Sequence, residues 1–156
     1  MEHGEGHVRV GPSKIGTGVF AGRRFQPLDT IGRVHGQRID DPQHESDYFI
    51  ELDQRHGLEP SAPFRYLNHS CRPNAALIRV GPDDEDDAPG ETEIWVEALS
   101  QIEPGEELTI DYGWPADVAI PCNCGSPNCR GWVVAEEELH ELHRVRNSSN
   151  PRYAEA

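Results

Sequence analysis

The sequence has little material for a large hydrophobic core. Of its 156 residues, 35% are hydrophobic and 7% are aromatic, which is enough for one small domain. Such a core needs support besides burial, and a bound metal is the first candidate. The chain also lacks a run of 18 apolar residues, and its N-terminus lacks a basic stretch followed by an apolar block. These absences argue against a membrane span and against Sec secretion.

Positive charge is scarce as well. The chain has 14 Lys and Arg against 28 Asp and Glu, which gives a formal net charge of −14. A chain of this charge repels phosphate backbones and attracts cationic partners. We therefore expect a basic protein or peptide as partner, with no membrane and no direct nucleic-acid binding. Seven of the acids lie at 83–93, where an attractive surface and a plain solvated loop are both open interpretations. The charge does not predict the oligomeric state.

The four cysteines are unevenly spaced. Cys122, Cys124 and Cys129 form a C-x-C-x4-C cluster, whereas Cys71 lies 51 residues before Cys122. Disulfides are awkward here because Cys122 and Cys124 are too close for an easy bridge. One zinc ion held by four thiolates fits the pattern better, since nearby glycine and proline residues supply tight turns. On spacing alone, reduced or disulfide-bonded cysteines stay open as alternatives.

Short strands and turns are the predicted secondary structure. Apolar stretches separated by glycine over residues 8–39 indicate several short strands. Further strands are predicted over residues 48–52, 75–80, 93–99 and 106–112. Residues 53–63 are predicted to form a polar loop or a helical turn. One segment, 136–146, has apolar residues spaced for a helix, and the chain after Asn147 is expected to fray.

Several sequence motifs follow one another in a fixed order. Residues 13–25 carry a glycine motif, SKIGTGVFAGRRF, and residues 47–52 read DYFIEL. Residues 65–75 read RYLNHSCRPNA, residues 106–114 read EELTIDYGW, and a C-x-C-x4-C-R-G tail follows. In this order the motifs closely resemble those of the SET-domain protein lysine methyltransferases with a post-SET zinc segment. The resemblance extends over residues 8–134.

This resemblance implies a mostly β fold. It would be a SET-domain fold of small antiparallel sheets with a knot-like C-terminal crossing, plus a post-SET zinc segment and a short C-terminal helix. The NHSC and DY segments would pack together in the crossing. The implied organisation is a flexible N-terminus, the SET domain, the zinc segment, and the helix with its tail, at residues 1–7, 8–117, 118–134 and 135–156.

The resemblance also implies an enzyme that transfers a methyl group from S-adenosylmethionine to a lysine side chain of a basic protein. The cofactor-binding positions would be Ile15, Gly16, Thr17, Gly18, Tyr48, Asn68 and His69. One structural zinc would be held by Cys71, Cys122, Cys124 and Cys129. Glycine near a cofactor lets the backbone approach it closely. Taken singly, the glycines could be hairpin turns, and Tyr48 and His69 could be core residues.

Three further residues lie at positions that correspond to the family's substrate channel. Tyr112 corresponds to the catalytic tyrosine, whose hydroxyl orients the amine. Trp132 would close one wall of the cofactor or lysine site, or would only pack. Ile110 departs from the family, which has phenylalanine or tyrosine there; isoleucine is smaller and has no hydroxyl, which predicts di- or trimethylation. Alternatively, Ile110 is a core strand residue, and Trp114 or Phe64 fills the channel.

A second hypothesis is a catalytically weak SET-like module that binds cofactor or a lysine-bearing peptide without efficient turnover. Retention of Tyr112, Asn68, His69 and all four cysteines favours the enzyme. The expected location is the cytoplasm for a prokaryotic source, with the nucleus open for a eukaryotic or viral one.

Overall fold

The computed structural model describes residues 7–41, 43–52, 56–81 and 92–147. The predictions for the first residues of the chain, for most of the acidic stretch 83–93 and for the tail after Asn147 therefore lie outside the described residues. Among the helices of the described part, none combines the length and the apolar character needed to span a bilayer.

The described chain folds mostly as short strands in small sheets, which confirms the predicted fold class. The strands are β1 Val8–Ser13, β2 Gly16–Ala21, β3 Thr30–Val34, β4 Gly36–Ile39, β5 Ile50–Glu51, β6 Gly57–Pro60, β7 Asn68–His69, β8 Ala75–Val80, β9 Glu93–Ala98, β10 Glu107–Ile110, β11 Ile120–Pro121 and β12 Trp132–Val133. Further along the described chain, 3-10 turns span Phe64–Tyr66, Ala116–Val118 and Glu136–Glu138, and the helix α1 spans Leu139–Asn147.

The described residues form four sheets, with the orders β1-β2-β10-β7, β3-β9-β8, β4-β6-β5 and β11-β12. The hairpin of β1 and β2 is antiparallel, and its register places Gly11 opposite Gly18. On the other edge of β2, Leu108 of β10 pairs with Val19, and both side chains are fully buried. The part of the glycine motif in β2 is therefore an inner strand of a sheet. The short strands were predicted from the sequence, whereas this inner position was not.

The prediction of a polar loop or helical turn over residues 53–63 was wrong for residues 57–60. Gly57–Pro60 forms β6, the central strand of its sheet, with β4 and β5 as its antiparallel neighbours. The segment GLEP has no strand-like alternation, so side-chain pattern gave no signal for it. Gly57 is needed there because a Cβ would lie 1.7 Å from the Phe49 ring. Backbone pairing on both edges, and not side-chain preference, makes this strand.

The C-terminal helix forms as predicted, but its first turn is a 3-10 turn. Three glutamates, Glu136–Glu138, occupy that turn, where negative charge is favoured by the helix dipole. Leu142 of α1 is fully buried and packs with Ala116, Ala119 and Val134. This small cluster anchors the helix.

The chain forms two compact units. The first contains Met1–Asn68 and Asn74–Thr109, and the second contains His69–Pro73 and Ile110–Ala156. The unit boundary thus falls inside the NHSC motif and just before the DY motif. In the second unit these two motifs are in contact, since the backbone N–H of Ser70 donates to the carbonyl of Ile110 at 2.9 Å.

Candidate functional site

The four cysteines come together in the second unit. Their sulfur atoms all lie within 4.8 Å of one another. The Cys71 sulfur is 3.8 Å from that of Cys122 and 4.0 Å from that of Cys129. A tetrahedral zinc ion with bonds of about 2.3 Å separates its sulfur ligands by about 3.8 Å. The donor set and its spacing therefore fit one closed, structural zinc ion.

Left-handed glycines shape the loop that carries three of these sulfurs. Gly125 and Gly131 have φ of 75° and 83°, a region that residues with a Cβ rarely adopt. The backbone N–H of Gly131 points at the Cys129 sulfur at 3.3 Å, and its carbonyl accepts the N–H of Cys122 at 3.0 Å. These bonds close the loop and turn its thiols to one side.

The thiols of the cluster differ in acidity when no cation is present. Burial is the main reason that the pKa of Cys71 and that of Cys122 are raised. Burial also opposes ionisation of Cys124, but hydrogen bonds from the Cys71 backbone and from Ser126 outweigh it and lower its pKa to about 5. Neighbouring thiolates repel one another, so all four ionise together only around a cation.

His69 lies between the Cys71 sulfur and the backbone of Tyr112. Its side chain is 4% exposed, and burial lowers its pKa although Asp111 raises it. The ring Nδ1 accepts the backbone N–H of Tyr112 at 3.1 Å, and Nε2 lies 3.5 Å from the Cys71 sulfur. Because Nδ1 is an acceptor, the neutral ring carries its proton on Nε2, facing the sulfur.

Aromatic rings surround Tyr112 within the second unit. Its ring centroid lies 5.4 Å from that of His69 and 5.3 Å from that of Trp114. Trp132 packs instead against the cluster of Ala116, Ala119, Val134 and Leu142. Ile110 is 8% exposed, so its side chain is a buried one at the end of β10.

Asn68 is held by the glycine motif of the first unit. Its amide nitrogen donates towards the carboxylate of Glu107 at 2.8 Å, the carbonyl of Thr17 at 3.0 Å and the hydroxyl of Ser13 at 3.2 Å. A Cβ on Gly18 would lie 2.6 Å from the same Glu107 oxygen. Gly18 therefore makes room for the carboxylate that orients Asn68. Sequence reasoning missed Glu107, because a strand glutamate carries no signal of its own.

The turn between β1 and β2 is open to solvent. Ile15 is 54% exposed, and its backbone N–H donates to the Ser13 hydroxyl at 3.2 Å. Gly16 has a φ of 116°, and nothing lies within 4 Å of the place where its side chain would be. The turn thus leaves room for a ligand to approach the backbone at Gly16 and Thr17.

Tyr48, also in the first unit, lies under a cation. The guanidinium of Arg65 lies 4.1 Å from the centre of its ring. Arg65 in turn donates to Glu59 at 2.6 Å, and the same carboxylate accepts from His44 at 2.8 Å and Ser46 at 3.0 Å. Glu59 is thus the centre of a polar network that fixes the segment before Tyr48. This role was also missed, because Glu59 lies in the strand that the sequence did not predict.

Comparison with known proteins decides the family. The family model for the SET domain matches residues 16–113, which is more than half of the chain. The chain belongs to the SET-domain family. This confirms the resemblance found in the sequence, and the matched range ends directly after Tyr112.

Related sequences carry the names of histone-lysine methyltransferases. The SET-domain chain is 34% identical over 145 residues to the H3 lysine-4 specific histone-lysine N-methyltransferase of Schizosaccharomyces pombe, covering 81% of this chain and 15% of that protein. It is also 34% identical over 145 residues to histone-lysine N-methyltransferase 2D of Homo sapiens, covering 81% of this chain and 2% of that protein. The chain therefore spans a small part of these relatives.

A solved structure shares the fold. The crystal structure of KRYPTONITE in complex with mCHH DNA, an H3(1-15) peptide and SAH matches with a TM-score of 0.68 and 25% sequence identity. The match covers 81% of this chain and 29% of that one.

Proposed function

We propose that this SET-domain protein is a protein-lysine N-methyltransferase that uses S-adenosylmethionine and acts on a histone or another basic protein. The observation that carries the proposal is the family match, which contains the complete NHSC and DY motifs. The names of the relatives, and the SAH and H3 peptide in the KRYPTONITE complex, support the same donor and the same class of acceptor.

The chemistry sets the task of the protein. A lysine amine with a pKa near 10.4 must lose its proton before it can attack, which costs about 4.6 kcal/mol at pH 7. When bound, S-adenosylmethionine would supply an electrophilic methyl group on a sulfonium, whose positive charge would disfavour the ammonium form of the lysine. The protein therefore needs no dedicated base, and its role is to align the lysine amine with the methyl group.

We assign the roles of the chain's residues accordingly. The hydroxyl of Tyr112 orients the lysine amine, and its backbone is held by His69. The donor is contacted by Ile15, Gly16, Thr17, Gly18, Tyr48, Asn68 and His69. The open space beside Gly16 and the fixed amide of Asn68 fit this role. Trp132 acts through packing of the C-terminal cluster, beside which it lies.

Zinc would have a structural role in this proposal. Cys71 lies two positions after His69 in the NHSC motif, and the other three ligands lie in the segment after the DY motif. Holding all four sulfurs would keep these segments together in the second unit.

We also propose the domain boundaries that the sequence predicts, with the SET domain at residues 8–117 and the zinc segment at residues 118–134. The proposed location is the cytoplasm for a prokaryotic source, with the nucleus open for a eukaryotic or viral one.

We further propose that the product carries more than one methyl group. Ile110 occupies the position where an aromatic residue is typical of the family. Its side chain has no hydroxyl to hold a water against the amine, and it is smaller than a ring, so a methylated amine has more room to rotate.

The acidic charge of −14 supports a basic partner over nucleic acid. The KRYPTONITE chain that was solved with DNA is much longer than the part that resembles this protein, since the match covers 29% of it. A transfer assay tests the proposal: purified protein, radiolabelled S-adenosylmethionine and mixed core histones should give labelled histone, and Tyr112→Phe should not. Donor binding by calorimetry without any transfer would favour the alternative, a binding module.

A further inference from the structure

Arg130 connects the cysteine loop to the residue before Tyr112. It directly follows Cys129, and its backbone N–H donates to the Cys71 sulfur at 3.3 Å. Its guanidinium donates to the Asp111 carboxylate at 2.7 Å and also to the carbonyl of Val134. The side chain is 10% exposed. A guanidinium buried this far is held in place by its acceptors, because it always carries its charge.

The same carboxylate holds the other side of Tyr112. One oxygen of Asp111 accepts from Arg130, and the second accepts the backbone N–H of Gly113 at 3.0 Å. Gly113 has a φ of 62°, so the chain turns sharply there. Tyr112 therefore lies between two residues whose positions depend on one carboxylate.

The backbone of Tyr112 itself leads back to the same cysteine. Its N–H donates to His69, and the opposite nitrogen of that ring faces the Cys71 sulfur. Two routes, one through His69 and one through Arg130 and Asp111, thus run from Cys71 to the Tyr112 backbone. A shift of the metal-binding loop would therefore move the Tyr112 backbone through both routes.

We propose that Arg130 is a positioning residue for Tyr112: its bond to Asp111 transmits the geometry of the zinc-loaded cysteine loop to the end of β10. The proposal rests on the proposed function only in that Tyr112 is the residue that orients the lysine. A purely structural arginine would hold the C-terminal segment without influence on the environment of Tyr112.

Fluorine NMR on the full chain measures this environment directly. Protein labelled with 3-fluorotyrosine has four tyrosine signals, and Tyr112→Phe identifies the one from Tyr112. In zinc-loaded protein, Arg130→Met and Asp111→Asn should each shift or broaden that signal, and the double variant should do no more than either single one. The signals of Tyr48 and Tyr66, which lie in the first unit, should stay unchanged.

Arg144→Met is the matched control, since Arg144 is in the same unit with its side chain 77% exposed. It should leave the Tyr112 signal unchanged. Zinc removal from the wild type should move the signal as Arg130→Met does. Elemental analysis should still find one zinc per chain in Arg130→Met, while kcat falls by about tenfold or more and the donor Kd changes by less than about threefold.

A wild-type Tyr112 signal in zinc-loaded Arg130→Met would overturn the proposal. Should that variant bind no zinc, Asp111→Asn decides in its place, because it leaves the cysteine loop unaltered. Failure of the wild type to methylate any basic protein would refute the proposed function instead, and the NMR comparison would still decide the role of Arg130.

Discussion

The backbone N–H of Tyr112 donates to Nδ1 of His69 at 3.1 Å, across 43 positions of sequence. A buried imidazole that accepts at Nδ1 stays neutral, because protonation would place a second hydrogen against the N–H. The NHSC motif thus fixes the backbone of the DY motif by a side chain and not by strand pairing alone. The two motifs are therefore joined by this bond as well as by the backbone bond from Ser70 to Ile110.

Tyr112→Phe should nearly abolish methyl transfer. The substitution removes one hydroxyl and keeps the ring next to His69 and Trp114, so the fold should be retained. We expect kcat to fall by about 100-fold or more, with donor binding within about threefold of the wild type. Turnover on histones and calorimetry with S-adenosylmethionine measure the two quantities. Wild-type turnover by the variant would remove Tyr112 from the mechanism.

The wild type should contain one zinc ion per chain, and Cys124→Ser should lose it. A structural zinc contributes to folding directly, so its loss should loosen the loop next to Trp132 and shift the tryptophan emission. Asn123→Ser, at an exposed position between two cysteines, should keep both zinc and emission. Elemental analysis provides the count. Metal-free protein with full activity would contradict the prediction.

Ile110→Tyr should restrict the product to monomethyl-lysine. The new ring fills volume beside the amine, and its hydroxyl can hold a water there. The wild type should accumulate di- or trimethyl-lysine on a histone peptide at long reaction times, as measured by mass spectrometry. Monomethyl product alone from the wild type would mean that another side chain, such as Trp114 or Phe64, limits the channel.

Gly18→Ala should weaken donor binding. Its Cβ would lie 2.6 Å from a Glu107 oxygen and 3.0 Å from the Ser13 Cβ, so the carboxylate must move and release Asn68. We expect the Kd for S-adenosylmethionine to rise by about tenfold, which corresponds to one charge-assisted hydrogen bond. Gly11→Ala is the control from the opposite strand, where the nearest atom lies at 3.7 Å. Equal affinities for the two variants would disprove this role of Gly18.

Glu59→Gln should destabilise the protein in a pH-dependent way. Hydrogen bonds from His44, followed by those from Arg65 and Ser46, hold the pKa of Glu59 below its usual 4.5 despite burial. A carboxyl whose pKa is lowered by folding contributes stability above about pH 4.5 and loses it as the pH falls further.

At pH 7 the cost of Glu59→Gln should be about 1 to 2 kcal/mol. The difference from the wild type should shrink below pH 4.5 in urea unfolding. Glu45→Gln, at an exposed position, should show neither effect. A constant difference between pH 7 and pH 3.5 would argue that Glu59 acts through shape and not through its charge.

The sequence predicted the structure correctly where local side-chain patterns or cysteine spacing carried the information. Two short apolar stretches, AALIRV and EIWVEA, joined by a polar link, predicted β8 and β9, and the cysteine spacing predicted the sulfurs that lie within 4.8 Å of one another. It was insufficient for β6, since GLEP has no alternation and its backbone pairs on both edges.

The sequence also gave no indication of Glu59, Glu107 and Arg130. Arg130 lies 19 positions from Asp111 and Glu107 lies 39 positions from Asn68, whereas Glu59 accepts from three side chains that lie 6 to 15 positions away. A charged side chain on a strand or loop is normally solvated. Only the folded neighbours distinguish these three from the many other charges of an acidic chain.

The distance of Cys71 from the other cysteines has a consequence for the order of folding during synthesis. Joining Cys71 to Cys122 closes a loop of 51 residues, which by analogy with a covalent link restricts the unfolded chain by about 4 kcal/mol. The first unit ends at Thr109, whereas the metal loop is complete only when Cys129 has left the ribosome. The sheets of the first unit can therefore form on a nascent chain before the metal is captured. Zinc supply would then limit the last step of maturation and leave the earlier ones unaffected.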